Sequence, residues 1–549
     1  MSHFLFNKKA TIVDQAIEGL IRTSPHQNLA RLKTDDGLRS VVRQDWDKSK
    51  VAIISGGGSG HEPMHVGFVG KGMLTAAVCG DLFASPGVDA ILHTIVTVTG
   101  KSGCLLVVKN YTGDRLNFGL AAEKARALGF KVEMVLVKDD ISLPKNPQPR
   151  GLAGTILAHK VAGYHAEKGK SLKYIVEQTQ QLLDNVTTLG VALSSCHLPG
   201  SDEPDGIPKG KSELGMGIHG EHGVATLETQ NSNKIAKQLA KTLLKHIGEE
   251  DNLLLLINNL GGLSVLEMAL ATQEVLQTPL ADRVSHIQGP GTLVSALDMK
   301  GLSLTVVPLN SKLLTALEAP VTVAGWLPIT ACQTMQWQEA DALPQVELAK
   351  PSQNAHVAQV VKTVCQVLID SEDELNKLDS QVGDGDTGST LATGASFVLK
   401  ALKQKKLPLN DPQALLHWLG EKITTPMGGS GGVLLSLLFS AAAAAYPDTK
   451  NLGASLSAGL QKMKDYGGAD QGDRTMIDAL QPAFEAMEAG KSGAAVSKAA
   501  TSGAESTKKM EKAKAGRSSY LNAESLKGHM DPGAYAVSKV FEQFKDKKN

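Results

Sequence analysis

The chain has 549 residues, too many for one hydrophobic core, and typical domain sizes predict roughly three to four structural units. Acidic and basic residues number 56 each, so the formal net charge is zero, and composition supports neither nucleic acid nor an anionic membrane as a partner. The scattered cysteines lack CxxC spacing, and there is no signal peptide or long apolar run, so we expect a soluble cytoplasmic protein.

Residues 1 to about 335 alternate short β-branched runs with helical stretches such as LNFGLAAEKARALG. The runs that we predict to be buried strands are 51–55, 104–110, 131–137, 189–195, 252–259 and 302–309. This alternation predicts an α/β fold, arranged as two α/β subdomains with largely parallel pairing. Ligands of such sheets lie at the carboxyl ends of the strands, so the loops there are the first candidates for a site.

The loop after the first predicted strand, SGGGSGHEP at residues 55–63, is rich in glycine. It matches neither the dinucleotide-binding GxGxxG pattern nor a P-loop. Its backbone amides could still approach a small polar ligand closely at Gly57, Gly58, Ser59 and Gly60. His61 ends the loop and is a candidate ligand contact, with a purely structural histidine as the alternative.

Two later loops also carry reactive side chains. Lys109 could hold a substrate oxygen and Asp114 could take a proton from an alcohol, whereas the alternative for this pair is a surface salt bridge. The loop 214–223, LGMGIHGEHG, places His219 between glycines, where a neutral imidazole is open to attack a carbonyl carbon. A zinc site is disfavoured there, because HExxH is absent and the dense glycines resist a ligand-bearing helix.

Prolines and polar residues follow Trp337, and we predict an interdomain linker over residues 336–354, between domains at 1–335 and 355–549. Beyond it the β-branched runs disappear and helical periodicity predicts an all-α eight-helix barrel or bundle. The predicted helices are 355–379, 388–404, 411–424, 431–446, 453–464, 474–489, 493–510 and 532–546.

The stretch LDSQVGDGDTGST at residues 378–390 crowds three acids among glycines. Asp379, Asp384 and Asp386 would repel one another without a cation between them, and oxygen ligands without histidine or cysteine favour Mg²⁺ or Ca²⁺ over zinc. Because the EF-hand pattern is not met, we predict Mg²⁺. The alternative is a turn that is rich in aspartate and glycine for conformational reasons alone.

A predicted helix begins directly after these acids, and its free N–H groups could bind phosphate. MGGSGG at 427–432 leads into a second such helix, and further glycine loops lie at 466–478, 514–519 and 531–534. If these loops share one end of the barrel with the acids, that end is a nucleotide triphosphate site; ordinary glycine turns are the alternative. The candidate nucleotide contacts are Asp386, Thr387, Gly388, Ser389, Thr390, Gly429, Ser430, Gly431, Gly472, Arg474, Thr475, Met476, Arg517, Asp531, Pro532 and Gly533.

In this order, the motifs GGGSGHEP, KNYTGD, GMGIHGE, VGDGDTGST, MGGSGG, GGADQGDRTMIDAL and DPGA resemble the fused ATP-dependent dihydroxyacetone kinases over essentially the whole chain. The resemblance implies a front triose-binding domain in which His219 bonds covalently to the ketone carbon as a hemiaminal, with the substrate surrounded by Gly58, His61, Lys109 and Asp114. It implies that the three aspartates hold two Mg²⁺ ions on ATP. It also implies a homodimer in which each ATP-binding domain covers the partner's triose-binding domain.

The resulting prediction is ATP-dependent phosphorylation of dihydroxyacetone, and also of glyceraldehyde, with ATP and Mg²⁺ as cofactors. Asp114 would act as general base on the terminal hydroxyl, with His61 as a hydrogen-bond partner. Three alternatives stay open: a lyase that cyclises FAD at the helical site without His219, a non-catalytic triose sensor, and a phosphoprotein-dependent relay that recharges bound ADP. The three aspartates disfavour the sensor, and the fusion of both domains in one chain disfavours the relay.

Overall fold

The structure is a computed structural model that describes residues 4–34, 37–143, 148–200, 206–344, 346–515 and 517–545, without the side chain of Arg517. The chain divides into two compact units, a front unit, Met1–Trp337, and a rear unit, Gln338–Asn549. Ser352, in the segment predicted as a linker, is tied to the rear unit. Its N–H donates to the Leu407 carbonyl (3.1 Å), and its hydroxyl accepts from the Asn410 N–H (2.9 Å).

The first sheet of the front unit carries the glycine-rich loop. Its strands are β1 (Leu29–Arg31), β2 (Ser40–Arg43), β3 (Ala52–Ser59), β4 (Ala76–Leu82), β5 (Cys104–Lys109) and β6 (Val132–Val137). They lie in the order β1-β2-β4-β3-β5-β6, and β4, β3, β5 and β6 pair in parallel, whereas β2 is antiparallel to β1 and β4. The parallel part agrees with the prediction.

Helices cover both faces of this sheet, which explains why β3 and β5 are buried along their whole length. One apolar layer packs the sheet against α2 (Val88–Val98) and α3 (Thr112–Ala127). The other layer packs it against α1 (Ile12–Arg22), α4 (Gly154–Glu167) and α5 (Leu172–Leu183).

The second sheet of the front unit corrects the expectation of largely parallel pairing. Its strands are β7 (Thr187–Ala192), β8 (Ser212–Leu214), β9 (Ala225–Leu227), β10 (Leu253–Asn259), β11 (Val284–Gly291), β12 (Gly301–Pro308) and β13 (Ile329–Ala331), in the order β13-β11-β10-β12-β7-β8-β9. Among the described strands, β10 and β11 form the parallel pair, and the other neighbours are antiparallel. The physical reason lies in the connections. β10 and β11 are joined through a helix, whereas β12 follows β11 through an irregular loop.

Three helices accompany the second sheet: α6 (Ser232–Ile247), α7 (Val265–Leu276) and α8 (Ser311–Glu318). Apolar residues of α6 and α7, including Leu239, Leu243 and Met268, pack on one face of the sheet. The two sheets therefore form two α/β subdomains within the front unit, as predicted.

The rear unit is helical, as predicted. Its helices are α9 (Ala355–Asp370), α10 (Glu372–Asp379), α11 (Thr387–Lys403), α12 (Pro412–Lys422), α13 (Thr424–Met427), α14 (Gly429–Thr449), α15 (Leu452–Gly467), α16 (Ile477–Glu488), α17 (Gly493–Ser506), α18 (Ala523–Leu526) and α19 (Pro532–Glu542). The predicted helix 355–379 is divided at Ser371 into α9 and α10. From α14 to α17 each helix packs on the next, and α19 packs on α17 and returns to α9 and α10, so the helices close a ring.

In the described part of the chain, α14 is long and apolar enough to cross a membrane by length and composition, which corrects the expectation that no such run occurs. Within its unit α14 packs against α12 and α15, and Leu438, Ala442 and Ala443 are buried in this contact. Buried residues make up 22% of the apolar stretch of α14.

Candidate active site

The backbone of Gly57, near the end of β3, lies beside two charged side chains from neighbouring elements. Lys109 ends β5 and Asp114 lies in the first turn of α3. A Cβ atom added to Gly57 would lie 3.0 Å from Lys109 Nζ and 3.3 Å from Asp114 Oδ2. The second carboxylate oxygen of Asp114 accepts a hydrogen bond from Ser85 Oγ at 2.5 Å. Glycine therefore leaves a space that a cation and a fixed carboxylate both border.

His61 and His219 meet in the front unit although 158 positions separate them in the sequence, with their Nε2 atoms 3.1 Å apart. The Nδ1 atom of His61 lies 2.8 Å from the Ser295 carbonyl. Because a carbonyl oxygen only accepts, His61 carries its proton on Nδ1 and accepts at Nε2. The proton in the contact between the two rings therefore belongs to His219. The opposite nitrogen of His219, Nδ1, lies 3.1 Å from Glu221 Oε1.

Two aromatic side chains wall the histidine pair. The Tyr111 ring meets the His219 imidazole edge-on with ring centroids 4.5 Å apart, and the Phe83 ring does so at 5.3 Å. Phe83 also stacks on His61 with centroids 5.1 Å apart. The two rings therefore border the His219 imidazole, whose side chain stays 19% exposed.

Burial determines the charge states at this site. It holds the pKa of His61 well below 6.5, and the charges of Lys109 and His219 lower it further, so His61 is neutral at physiological pH. Burial also lowers the pKa of Lys109, although the charges of Asp114 and Glu221 oppose this effect. The Lys109 Nζ atom is buried and has no hydrogen-bond partner among the described residues. An oxygen atom of a bound molecule would satisfy it.

The other predicted contacts of this loop pack against the segment that carries Phe83. A Cβ atom on Gly58 would lie 2.7 Å from the Ala84 nitrogen, and one on Gly60 would lie 2.8 Å from the Phe83 ring. The Ser59 hydroxyl donates to the Gly80 carbonyl at 2.9 Å. These residues therefore bring Phe83 close to His61, and the Ser59 hydroxyl already has an acceptor.

The three predicted metal ligands meet at the corner between α10 and α11. One carboxylate oxygen from each of Asp379, Asp384 and Asp386 lies within 4.8 Å of the others; Asp379 is buried, and the other two are exposed. The Asp379 Oδ2 atom accepts the N–H groups of Asp386 (2.9 Å) and Thr387 (3.1 Å). The group fits Mg²⁺, because all donors are carboxylate oxygens and the exposed side leaves room for coordinated water.

Two residues predicted as phosphate contacts, Gly388 and Ser389, also hold α11 against α10. A Cβ atom on Gly388 would lie 2.1 Å from the Glu372 carbonyl oxygen. The Ser389 N–H donates to Asn376 Oδ1 at 3.0 Å, and its hydroxyl donates to Glu372 Oε1 at 2.8 Å. Both residues therefore fix the start of α11 on α10.

The start of α14 adjoins the start of α11. A Cβ atom on Gly431 would lie 3.8 Å from Thr390 Cγ2, so the first turns of both helices are neighbours. Gly429 and Ser430 are exposed, and a Cβ atom on Gly429 would meet no atom of the described residues within 4 Å. Two helix N-termini therefore border one open region of the rear unit, which favours an anion.

Arg474 is a buried cation in the loop before α16. Its Nη2 atom donates to the His529 carbonyl at 3.0 Å, whereas Nε and Nη1 have no hydrogen-bond partner among the described residues. In the same loop, the N–H groups of Gly472 and Thr475 donate to the Asp478 carboxylate at 2.6 and 2.8 Å. This loop thus holds a guanidinium with two unused donor groups.

The loop before α19 packs on the Arg474 loop. A Cβ atom on Gly533 would lie 3.1 Å from Met476 Cβ. Asp531 caps α19 by accepting the Ala534 N–H at 2.8 Å, and Pro532 occupies the first turn of the helix. Burial raises the pKa of Asp531 to about 6, although the Arg474 charge opposes this. The side chain of Arg517, another predicted contact, lies outside the described residues.

Sequence reasoning missed several residues of the front site. Tyr111 and Glu221 lie inside motifs that carry the predicted residues, so their positions were visible although their contacts were not. Ser85 and Phe83 come from the segment after β4, which was not predicted as a strand. Ser295 is 234 positions from its partner His61, and no local pattern indicates the contact.

Comparisons with known proteins agree over both units. Residues 18–325 match the Dak1 domain family and residues 381–546 match the DAK2 domain family. The chain is 52% identical to the dihydroxyacetone kinase of Citrobacter freundii, with 98% of both chains covered. It is 39% identical to the triokinase/FMN cyclase of Homo sapiens, with 98% of this chain and 97% of the relative covered. The crystal structure of the C. freundii dihydroxyacetone kinase in complex with AMP-PNP and Mg²⁺ is similar, with a TM-score of 0.82, 49% identity and complete coverage of both chains.

Proposed function

The chain belongs to the dihydroxyacetone kinase family, and from this membership we propose that it transfers the γ-phosphoryl group of ATP to dihydroxyacetone with Mg²⁺ as cofactor. The observation that carries the proposal is that one chain holds both chemistries. A histidine pair lies beside a buried lysine in the front unit, and three carboxylates converge in the rear unit. The first arrangement suits a short ketone, and the second suits a triphosphate with its metal.

The front domain, residues 1–335, binds the triose. The Nε2 proton of His219 passes to Nε2 of His61, and the freed lone pair of His219 Nε2 bonds to the ketone carbon. The carbonyl π electrons pass to the oxygen, which then takes the proton from His61. The product is a hemiaminal that fixes the orientation of a ligand with few other contacts. Lys109 binds a substrate oxygen in the space above Gly57, and His61 is a hydrogen-bond partner of the reacting groups.

Asp114 is the general base for the terminal hydroxyl. Ser85 occupies its Oδ1 atom, while Oδ2 borders the space beside Gly57. As the hydroxyl oxygen bonds to the γ-phosphorus, its proton passes to the carboxylate and ADP leaves. A fixed carboxylate costs little reorganisation at this step.

The rear domain, residues 355–549, binds ATP, and residues 336–354 link the domains. Asp379, Asp384 and Asp386 hold Mg²⁺, which neutralises phosphate charge when bound. The two free donor groups of Arg474 suit phosphate oxygens. The remaining proposed contacts are Thr387, Gly388, Ser389, Thr390, Gly429, Ser430, Gly431, Gly472, Thr475, Met476, Arg517, Asp531, Pro532 and Gly533.

The test combines turnover with direct detection of the adduct. We expect ATP- and Mg²⁺-dependent phosphorylation of dihydroxyacetone, and a new sp³ carbon signal when the protein binds substrate labelled with ¹³C at C2. The His219→Ala variant should lose this signal and at least about 100-fold in kcat/KM, because the ketone is no longer positioned. Full turnover by wild type without any adduct signal would contradict the covalent step.

A second activity is favoured by one comparison. The human relative is a triokinase/FMN cyclase, so we propose cyclising cleavage of FAD at the rear site as a further candidate. That reaction does not need His219. The variant His219→Ala should therefore keep any FAD cleavage, whereas Asp384→Ala should lose it.

The proposed assembly is a homodimer in which each rear domain covers the partner's front domain, in a soluble cytoplasmic protein. In this homodimer the linker has a function, because its length allows the ATP-binding domain to reach the neighbouring chain. Glyceraldehyde, a triose of the same size, is proposed as a further substrate.

A further inference from the structure

The segment Gly217–Glu221 is a tight turn that folds a carboxylate back onto His219. The Gly217 N–H donates to the Glu221 carbonyl at 2.9 Å, and the Gly220 N–H donates to the Gly217 carbonyl at 3.0 Å. A Cβ atom on Gly217 would lie 1.9 Å from Glu221 Oε2. Glycine at this position is therefore what allows the Glu221 side chain to lie under the turn.

Both carboxylate oxygens of Glu221 contact the same residue. Oε2 accepts the main-chain N–H of His219 at 3.0 Å, and Oε1 lies 3.1 Å from the ring Nδ1 of His219. The first contact fixes the backbone of the histidine, and the second fixes the rotation of its ring. A carboxylate is a pure acceptor, so the Nδ1 atom must carry a proton.

We infer that Glu221 is the positioning residue of the proposed nucleophile: it holds the Nδ1–H form of His219 and so directs the reactive lone pair of the ring to Nε2. This inference rests on the proposed function, because it assigns a role within the hemiaminal step. The Nε2 atom lies on the side of the ring that faces His61, away from Glu221.

The proton positions follow from the two ring contacts. In the free protein, Nδ1–H of His219 faces Glu221, and one proton lies in the contact between Nε2 of His219 and the acceptor Nε2 of His61. In the step this proton passes to Nε2 of His61, which frees the Nε2 lone pair of His219. That lone pair bonds to the ketone carbon, the carbonyl π electrons pass to the oxygen, and His61 returns the proton to that oxygen. The alkylated ring keeps the Nδ1 proton and carries a positive charge, which the Glu221 carboxylate faces.

The charge of Glu221 is maintained across the physiological pH range. Burial would raise its pKa, but the hydrogen bond from His219, the charge of that ring and backbone N–H groups lower the pKa to about 2. Its role does not depend on the exposed neighbour His222, whose Nδ1 atom lies 3.7 Å from Glu213 instead. Glu213 is thus a second carboxylate in the same region without a contact to His219.

The variant Glu221→Gln tests the inference because an amide has one acceptor oxygen for two donor groups. If the oxygen accepts the His219 main-chain N–H, the NH₂ group faces Nδ1 and stabilises the ring with its proton on Nε2. That form has no lone pair directed at the ketone. We expect kcat/KM to fall by about 100-fold or more, and the ¹³C adduct signal to disappear. The control Glu213→Gln should keep both within twofold.

A direct readout separates positioning from structural support. In protein with ¹⁵N-labelled histidine, two-bond ¹H–¹⁵N correlations report which ring nitrogen is protonated, and the His219 signals are identified by their loss in His219→Ala. At a pH where the neutral ring predominates, wild type should show Nδ1–H, and Glu221→Gln should show Nε2–H. The thermal unfolding midpoint of each variant shows whether it is folded. If Glu221→Gln does not fold, Glu221→Asp serves, since it keeps the charge and shortens its reach.

The outcomes distinguish this inference from the proposed function. If wild type forms no adduct and phosphorylates no triose, the proposed function fails. If wild type does both, and folded Glu221→Gln keeps the Nδ1–H form and an adduct within twofold of wild type, the role of Glu221 is overturned. Loss of the adduct in Glu213→Gln as well would also overturn it, because the effect would then not be specific to the carboxylate at His219.

Discussion

Lys109 is a residue whose burial works against stability. Its side chain is fully buried, and its Nζ atom has no hydrogen-bond partner among the described residues, although it lies 5.9 Å from the centre of the Tyr111 ring. A buried cation without hydrogen bonds costs several kcal/mol of folding free energy. In the proposed function, a strong interaction of the buried Lys109 ammonium group with a substrate oxygen offsets this cost.

We expect Lys109→Met to lower kcat/KM by about 10²–10³-fold while leaving the unfolding midpoint of the ligand-free protein unchanged or higher.

The lowered pKa of Lys109 also makes the stability of the wild-type protein depend on pH. Below its folded pKa the buried charge lowers stability, and stability recovers as the pH rises from that value towards the unfolded value near 10.5. The variant should lack this recovery. A clear drop in the midpoint at pH 7 would contradict the account.

At the scale of elements, the corner between α10 and α11 combines two functions. Asp379 ends α10 and accepts the N–H groups of Asp386 and Thr387, which are free donors at the start of α11. Asp384 is exposed, and it adds negative charge to the same cluster. Asp379 and Asp384 therefore share the proposed role of binding Mg²⁺ but differ in their contribution to the fold.

The matched variants Asp379→Ala and Asp384→Ala should separate these roles. Both should lose the rise in unfolding midpoint that Mg²⁺ and ATP produce in wild type. Without metal, Asp379→Ala should be destabilised by about 0.5–2 kcal/mol, because two N–H groups at the start of α11 lose their acceptor. Asp384→Ala should be destabilised less, because Asp379 and not Asp384 accepts these two N–H groups. Denaturant unfolding with and without Mg²⁺ measures both, and equal destabilisation in the two variants would refute the distinction.

At the scale of the whole molecule, each unit has its own hydrophobic cores. The histidine pair belongs to the front unit and the aspartate cluster to the rear unit, so a complete kinase needs both. A proposed homodimer with domains covering each other's sites makes this requirement testable, because the two sites that cooperate would come from different chains.

Mixed dimers of a His219→Ala chain and an Asp384→Ala chain should recover activity. In the proposed arrangement one front site with an intact His219 meets an intact aspartate cluster of the partner, so each verified heterodimer should show about half of the wild-type rate. Each variant alone should be inactive. A heterodimer without activity would mean that both sites used in one turnover lie on the same chain.

Continuous apolar strands and amphipathic helices could be predicted from the sequence, because local burial leaves a local pattern. The six predicted strands all occur in the front unit, and the eight helical segments of the rear unit occur with a break at Ser371. Short strands such as β8 and β9 were missed, since three residues are too few for a periodic signal. The prediction of largely parallel pairing was wrong for the second sheet. The apolar pattern of a strand does not determine in which direction its neighbour in the sheet runs.

The sequence by itself determined which reactive side chains follow which strands and helices, and the clustering of Asp379, Asp384 and Asp386 within eight positions. Only the tertiary structure decided that His61 meets His219 and the distant Ser295 carbonyl, that Ser389 contacts α10, and that Glu221 turns back onto His219. The physical reason is the separation along the sequence over which each effect acts. Periodicity and turn chemistry act over a few residues, whereas these contacts depend on how whole elements pack and on the small volume of glycines such as Gly57 and Gly217.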